Sequence, residues 1–235
     1  MSTVLITRPR GQGETLAALL RDAGHVAIHQ PALAIEPLPL SAADRRRILD
    51  LDLYHAVFFV SANAAELALE AFADVWPQWP VGVHWLTVGE ATARVLAAAG
   101  MAPEYPGAGF NSEAVLGLPC LADVADRRIL ICRADSGRDW LAARLRERGA
   151  EVDIIPFYQR RPDPSFRWPG EASVVLVTSV EGWRAIAARV PATARVVSAG
   201  ERVAQAVRED HPGPVTVAAS AHDRDMVAAL VATGD

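Results

Sequence analysis

Val4-Leu5-Ile6-Thr7, closed by Arg8-Pro9, and Ile129-Leu130-Ile131-Cys132, closed by Arg133, are one passage written twice. Each is a short apolar run of the length of a buried strand. Behind the first, Leu16, Leu19, Leu20 and Ala23 recur at helical spacing, and Gly24 stops the pattern. Behind the second, Asp139 suits a helix N-cap, Leu141 and Leu145 share a face, and Gly149 is the stop. A further strand follows in each, about Val26–His29 before Pro31 and Val152–Ile155 before Pro156. Arg8 and Arg133, Gly24 and Gly149, Pro31 and Pro156, Pro37 and Pro162, and Pro39 and Pro164 are each 125 positions apart. Chance supplies one or two such matches; five at one offset indicate duplication.

The repeat continues at a smaller offset. Val57–Ser61 runs into a helix over Ala64–Phe72, and Val174–Ser179 into one over Trp183–Arg189. Trp85–Glu90 enters a helix at Ala91–Ala99, and Arg195–Glu201 one at Arg202–Asp210. Each half ends with a short strand and a helix: Glu104–Tyr105 then Ser112–Leu118, and Val215–Ala218 then Asp223–Val231. Strict alternation of strand and helix predicts an α/β protein with parallel sheets, built as two similar three-layer α/β/α lobes. Pro37 and Pro39, and Pro162 and Pro164, make extended linkers at equivalent places inside the two repeats. The lobes are therefore not the repeats themselves. The expected domains are residues 1–36 with 163–235, and residues 40–160, joined by a two-segment hinge near 33–40 and 158–164.

Composition narrows the chemistry. The chain has 235 residues, 51% hydrophobic and 22% charged, with a formal net charge of −5. All 23 basic residues are Arg. Without Lys there is no Schiff-base lysine and no Walker A lysine. The acidic balance gives no general attraction for nucleic acid or an anionic membrane, so an anion has to be held locally by Arg or backbone N–H groups. No apolar run approaches the ~18–20 residues of a membrane span, and the expected class is a soluble cytoplasmic protein. Cys120 and Cys132 form no CxxC, the six histidines show no metal-ligand spacing, and GxSxG, HExxH and GxGxxG are absent. No metal is expected.

Five stretches are similar to the uroporphyrinogen-III synthase family: Ile6-Thr7-Arg8-Pro9, Phe59-Val60-Ser61-Ala62-Asn63-Ala64, Val88-Gly89-Glu90-Ala91-Thr92-Ala93, Pro156-Phe157-Tyr158 and Val177-Thr178-Ser179. Each alone is weak; the ordered set, at the family's spacing across nearly the whole chain, is specific. The resemblance implies two α/β domains with a cleft between them. It also implies a reaction: hydroxymethylbilane, a linear tetrapyrrole with eight carboxylates, loses hydroxide to leave an azafulvenium cation. Attack by the substituted carbon of the last ring gives a spiro intermediate that recloses to uroporphyrinogen III with that ring inverted. No cofactor, nucleic acid or membrane partner is implied, and the expected state is a monomer.

In open parallel sheets, ligands sit at the carboxyl ends of strands, beside helix N-termini that offer unpaired N–H groups. The candidate substrate contacts are therefore Ser61, Ala62, Asn63, Gly89, Glu90, Ala91, Thr92, Thr178, Ser179 and Gly200, with Arg8 and Arg133 at strand ends. Each also has a plain structural reading. Ser61, Thr92, Thr178 and Ser179 suit helix caps, and either Arg could pair with a carboxylate of its own domain. The resemblance makes Tyr158 the candidate for assisting hydroxyl departure, since a phenol is protonated at neutral pH and can donate. Val203 stands where the first half has Thr92, so a second hydroxyl contact is not expected there. Trp76, Trp79 and Trp85 read as packing residues, Arg45-Arg46-Arg47 as a solvated helix face, and both cysteines as small core residues. The alternative function is a non-catalytic tetrapyrrole-binding or regulatory protein of the same fold.

Overall fold

The computed structural model describes residues 1–109 and 111–232. Its elements follow the duplicated pattern in order: β1 (Thr3–Ile6), α1 (Glu14–Asp22), β2 (Val26–His29), β3 (Leu33–Pro37), α2 (Ala42–Leu49), β4 (Ala56–Phe59), α3 (Ala62–Ala73), β5 (His84–Thr87), α4 (Glu90–Ala98), β6 (Pro103–Glu104) and α5 (Ser112–Val115). Then come β7 (Arg128–Ala134), α6 (Trp140–Glu147), β8 (Glu151–Pro162), β9 (Val174–Val177), α7 (Val180–Ile186), β10 (Arg195–Ser198), α8 (Glu201–Arg208), β11 (Val215–Val217) and α9 (Asp223–Ala232).

Two sheets result, ordered β11-β10-β9-β1-β2 and β3-β8-β7-β4-β5-β6. The pairs β1–β2, β1–β9, β9–β10, β10–β11, β4–β5, β4–β7, β5–β6 and β7–β8 are parallel. Since β7 and β8 repeat β1 and β2, the order β2-β1-β9-β10-β11 in one sheet is the order β8-β7-β4-β5-β6 in the other. Each sheet thus joins the first strand pair of one repeat to the last three strands of the other. The chain accordingly divides into one compact unit of Met1–Ile35 with Arg160–Asp235 and another of Glu36–Gln159. Residues 233–235 of the first lie outside the described residues.

Alternation along the strands builds the layers. In the first unit, Val4 and Ile6 pack with Val174 and Leu176 against Leu16 and Leu20 of α1 and Met226 and Leu230 of α9. Leu5, Val175 and Val177 face the other way, onto Trp183 and Ile186 of α7 and Val203 and Val207 of α8. In the second unit, Phe58, Ile129 and Ile131 cover Val115 of α5 and Leu141 and Leu145 of α6. The rings of Phe59 and Phe72 (α3) lie 6.2 Å apart. The helix stops repeat too. Gly24 and Gly149 sit at φ +82° and +86°, left-handed positions that favour glycine. The next residues close the same turn, His25 N to Leu20 O at 2.9 Å and Ala150 N to Leu145 O at 3.1 Å.

Several elements differ from expectation. The extended segments that hold Pro37 and Pro162 are the ends of strands β3 and β8, and β8 does not stop at Pro156. Proline donates no ladder hydrogen bond, and the strand accommodates it at an irregularity. Arg133 pairs with Pro156 but Ala134 with Tyr158, so Phe157 is extra on β8. The helix expected from Trp183 begins at Val180, because Ser179 caps it. The helix from Ser112 stops at Val115, short of Leu118. Among the described residues, no helix is long and apolar enough to cross a membrane.

Candidate functional site

At the carboxyl edge of the second unit, Ser61 is the N-cap of α3, and its Oγ accepts the Ala64 N–H at 3.2 Å. The same Oγ lies 3.1 Å from the Tyr158 hydroxyl. Tyr158 comes from β8, and β7 lies between it and β4, so the phenol reaches past one strand to the head of α3. The ring is buried. Ala62 and Asn63 follow in the first turn, half-buried. One turn along the edge, Gly89 is the N-cap of α4, with no side-chain cap on the helix. Glu90 and Ala91 are exposed there, and Glu90 Oε1 is 3.7 Å from Arg94 Nε. Thr92 is buried inside the helix and is not a cap.

The first unit repeats this plan with different side chains. Thr178 ends the run of β9, and Ser179 caps α7 by accepting the Gly182 N–H at 3.0 Å. Gly200 is the N-cap of α8, again without a side-chain cap, at φ +143° and ψ 168°. L-residues avoid that conformation, so glycine has a backbone reason at this position. Gly89, at φ −174°, has none.

A cavity of about 640 Å³ opens beside Ser179, lined by Arg160, Arg184, Arg202 and Glu181 among others. Arg160 Nε is 2.9 Å from Glu181 Oε2, a charge contact without hydrogen-bond geometry. Three guanidiniums against one carboxylate leave the cavity cationic. Sequence reasoning missed these arginines. Arg202 was within reach, because it stands two residues after Gly200 in the same strand-to-helix turn; Arg160 and Arg184 come from separate segments.

The two strand-end arginines serve their own units. Arg8 bonds Asp223 Oδ1 and the Ala221 carbonyl, each at 2.6 Å. Arg133 pairs with Asp139 at 2.7 Å, so Asp139 binds a guanidinium and does not cap α6 with its side chain. The buried Nε of Arg133 is left without a hydrogen bond. Cys132 is a core residue whose thiol burial pushes well up, whereas Cys120 is only half-buried. Trp76 and Trp79 donate to the Ile48 and Ala99 carbonyls, each at 2.7 Å, and Trp85 is buried in β5. Arg45 and Arg46 are exposed, but Arg47 binds Asp44 and Asp153, each at 2.9 Å.

Two segment-swapped, doubly wound units, each with a serine-capped and a glycine-capped helix at its carboxyl edge, define a duplicated α/β class. Within it, the family described as uroporphyrinogen-III synthase HemD matches residues 14–228, and the chain belongs to that family. It is 30% identical over 247 residues to the uroporphyrinogen-III synthase of Escherichia coli K12, covering 97% of this chain and 99% of that one. It is 36% identical over 166 residues to the enzyme of the same name from Synechococcus elongatus, 68% of this chain and 61% of that one. The fold matches uroporphyrinogen-III synthetase of Helicobacter pylori at a TM-score of 0.64 and 15% identity, over 99% of this chain and all of that one. It matches a mutant uroporphyrinogen III synthase of Thermus thermophilus at 0.61 and 19%, over 99% and 98%.

Proposed function

We propose that this chain closes hydroxymethylbilane to uroporphyrinogen III, inverting the last ring through a spiro intermediate with loss of water. The observation that carries the reading is the hydrogen bond between Tyr158 and Ser61 at the head of α3. Ser61 Oγ already accepts the Ala64 N–H. Its own proton is then available to the phenol oxygen, which leaves the Tyr158 O–H to donate. A donor held this way assists departure of the substrate hydroxyl, which leaves as water, while the pyrrole nitrogen supplies the electron pair. Well-matched general-acid assistance is worth about 10²–10⁴-fold, and a phenol, being a weak acid at neutral pH, gives less, about tenfold.

The larger part of the task is positional. The free cation closes at the wrong carbon, so the protein holds the chain curled to favour the right one. Orientation of this kind can supply roughly 7–11 kcal/mol. The carboxylates supply the handle. In this reading the helix N-termini at Gly89 and Gly200, which have no side-chain cap, the turns Ser61–Asn63, Gly89–Thr92 and Thr178–Ser179, and the cationic cavity of Arg160, Arg184 and Arg202 are the places that take carboxylates. Arg8 and Arg133, already paired, act by holding the neighbouring loops. The chemistry asks for no cofactor, and the chain acts as a monomer in the cytoplasm.

The test is isomer analysis. A deaminase supplies fresh hydroxymethylbilane, and the product is separated into type I and type III. Type III above the spontaneous type I background is expected. Type I alone would overturn the reading, and would leave a protein that binds a tetrapyrrole without turning it over. Sedimentation at a mass near 25.2 kDa checks the monomer.

A further inference from the structure

His84, Glu104 and Cys120 belong to no ligand motif in the sequence, yet the fold of the second unit brings them together. His84 is the first residue of β5 and Glu104 the last of β6. The two strands are paired with Leu86 opposite Glu104, which puts His84 and Glu104 on one face of the sheet. Cys120 enters from the 3₁₀ turn Pro119–Leu121. One ligand atom from each lies within 4.8 Å of the others. We propose that these three side chains form a site for one borderline-soft divalent cation of the zinc class, with water as the fourth ligand.

The carboxylate of Glu104 is the hub. His84 Nδ1 lies 2.6 Å from its Oε1, and the Cys120 thiol sulfur lies within 4.8 Å of both. Both partners become metal ligands once their protons are displaced. Cation binding releases the thiol proton to solvent and moves the imidazole proton to Nε2, so one proton leaves per cation. Thiolate and carboxylate then balance the two positive charges.

The dimensions suit the proposal. Tetrahedral bonds of about 2.0–2.3 Å need ligand separations of about 3.3–3.8 Å, which these side chains reach by moving about 1 Å. The side chains of His84 and Glu104 are 38% and 41% exposed, so they have room and the cation has access. The supporting contacts are also present. His55 Nε2 lies 2.7 Å from the Cys120 carbonyl, its ring stands 4.9 Å from that of His84, and its carbonyl accepts the His84 N–H. These hold the cysteine-bearing turn against β5, the role outer-shell residues play at metal centres. A mixed N, O and S donor set selects zinc or cobalt over magnesium or calcium. His84 and Thr87 are opposite ends of β5, so the site stands apart from the carboxyl-edge turns.

Cobalt(II) tests this directly. Full-length protein without a histidine tag is titrated with cobalt chloride and watched for thiolate-to-cobalt absorption in the near ultraviolet. Saturation at one equivalent is expected, with the band erased by zinc. Cys120→Ser and Cys120→Ala remove the band, and His84→Ala weakens binding by about tenfold or more, with circular dichroism unchanged. Equimolar cobalt producing no band in the parent protein would mean a polar cluster only and would overturn the proposal. So would a band that survives in a folded Cys120 variant.

Discussion

At the carboxyl edge of the second unit, a serine caps the first helix and a tyrosine bonds it; in the first unit, a serine caps the corresponding helix and arginines surround it. The duplication makes the comparison residue by residue. Tyr158 falls 125 positions after Leu33, which lines the arginine cavity. Ser179 and Ser61 are 118 apart, and at that offset Arg184 answers to Glu66. Gly200 and Gly89 are 111 apart, which sets Arg202 opposite Ala91 and Val203 opposite Thr92. One copy of the edge carries a buried phenol bonded to the capping serine, and the other has cations at positions that are neutral or acidic in the first. A duplicated scaffold thus carries two chemically different carboxyl edges.

Removing the cations strikes hardest at that asymmetry. Arg184→Ala with Arg202→Ala deletes two charge-assisted contacts. At about 1.5–3 kcal/mol each, the pair raises KM by about a hundredfold or more and leaves kcat nearly intact. Steady-state kinetics on fresh bilane decides it, and an unchanged KM removes the cavity from the site. The glycine caps come next. Gly200→Ala forces a side chain into φ +143° and costs about 1–3 kcal/mol, whereas Gly89→Ala, in extended backbone, costs only about 0.5 kcal/mol. Urea midpoints of the two variants measure the gap; equal losses would show that the two caps are not conformationally distinct. Tyr158→Phe is smaller still, about tenfold in kcat with KM held. Ser61→Ala moves the same parameter by less, because Ser61 acts through Tyr158. A Tyr158→Phe variant with full turnover ends the proposal for that hydroxyl.

How much of this was legible beforehand depends on whether a signal is local. Gly24 and Gly149 end helices by backbone conformation alone, so the repeat showed itself in single residues. The swapped sheets followed from prolines at matching places. The turns at Ser61, Gly89, Ser179 and Gly200 were legible because strand ends and helix starts are local too. What stayed hidden needed distance in the chain. Arg8 meets Asp223 across 215 positions, and Arg160, Arg184 and Arg202 share a cavity from three segments. The Tyr158–Ser61 bond spans 97 positions and passes an intervening strand. Pro156 announced a missing donor, but not that a bulge would absorb it and let β8 run on.

The comparison extends to the opposite, amino-terminal ends of the sheets, where the expected effect is smallest. In the second unit, Asp153 accepts from the Tyr54 hydroxyl at 2.7 Å, from Arg47 Nε at 2.9 Å and from Arg128 at 3.4 Å, and Arg128 also lies over the Tyr54 ring. Counting back 125 positions, Arg128 becomes Thr3 and Asp153 becomes Ile28, so the first unit has no counterpart to this cluster. Burial alone pushes the Asp153 carboxyl up, but the Tyr54 and arginine contacts outweigh it and hold the group below its ordinary value. A carboxyl lowered on folding stabilises at any pH above its unfolded value of about 3.9, and that contribution fades as pH falls through the folded value beneath it. Asp153→Asn should therefore cost about 1 kcal/mol or less at pH 7, since the group is partly exposed. The cost should be unchanged at pH 5, where the carboxylate is still ionised in both states, and should shrink toward pH 3. Urea midpoints of the parent and the variant at the three pH values give the difference. A constant gap down to pH 3 would mean that packing, and not the charge of Asp153, ties β7 and β8 together at this end.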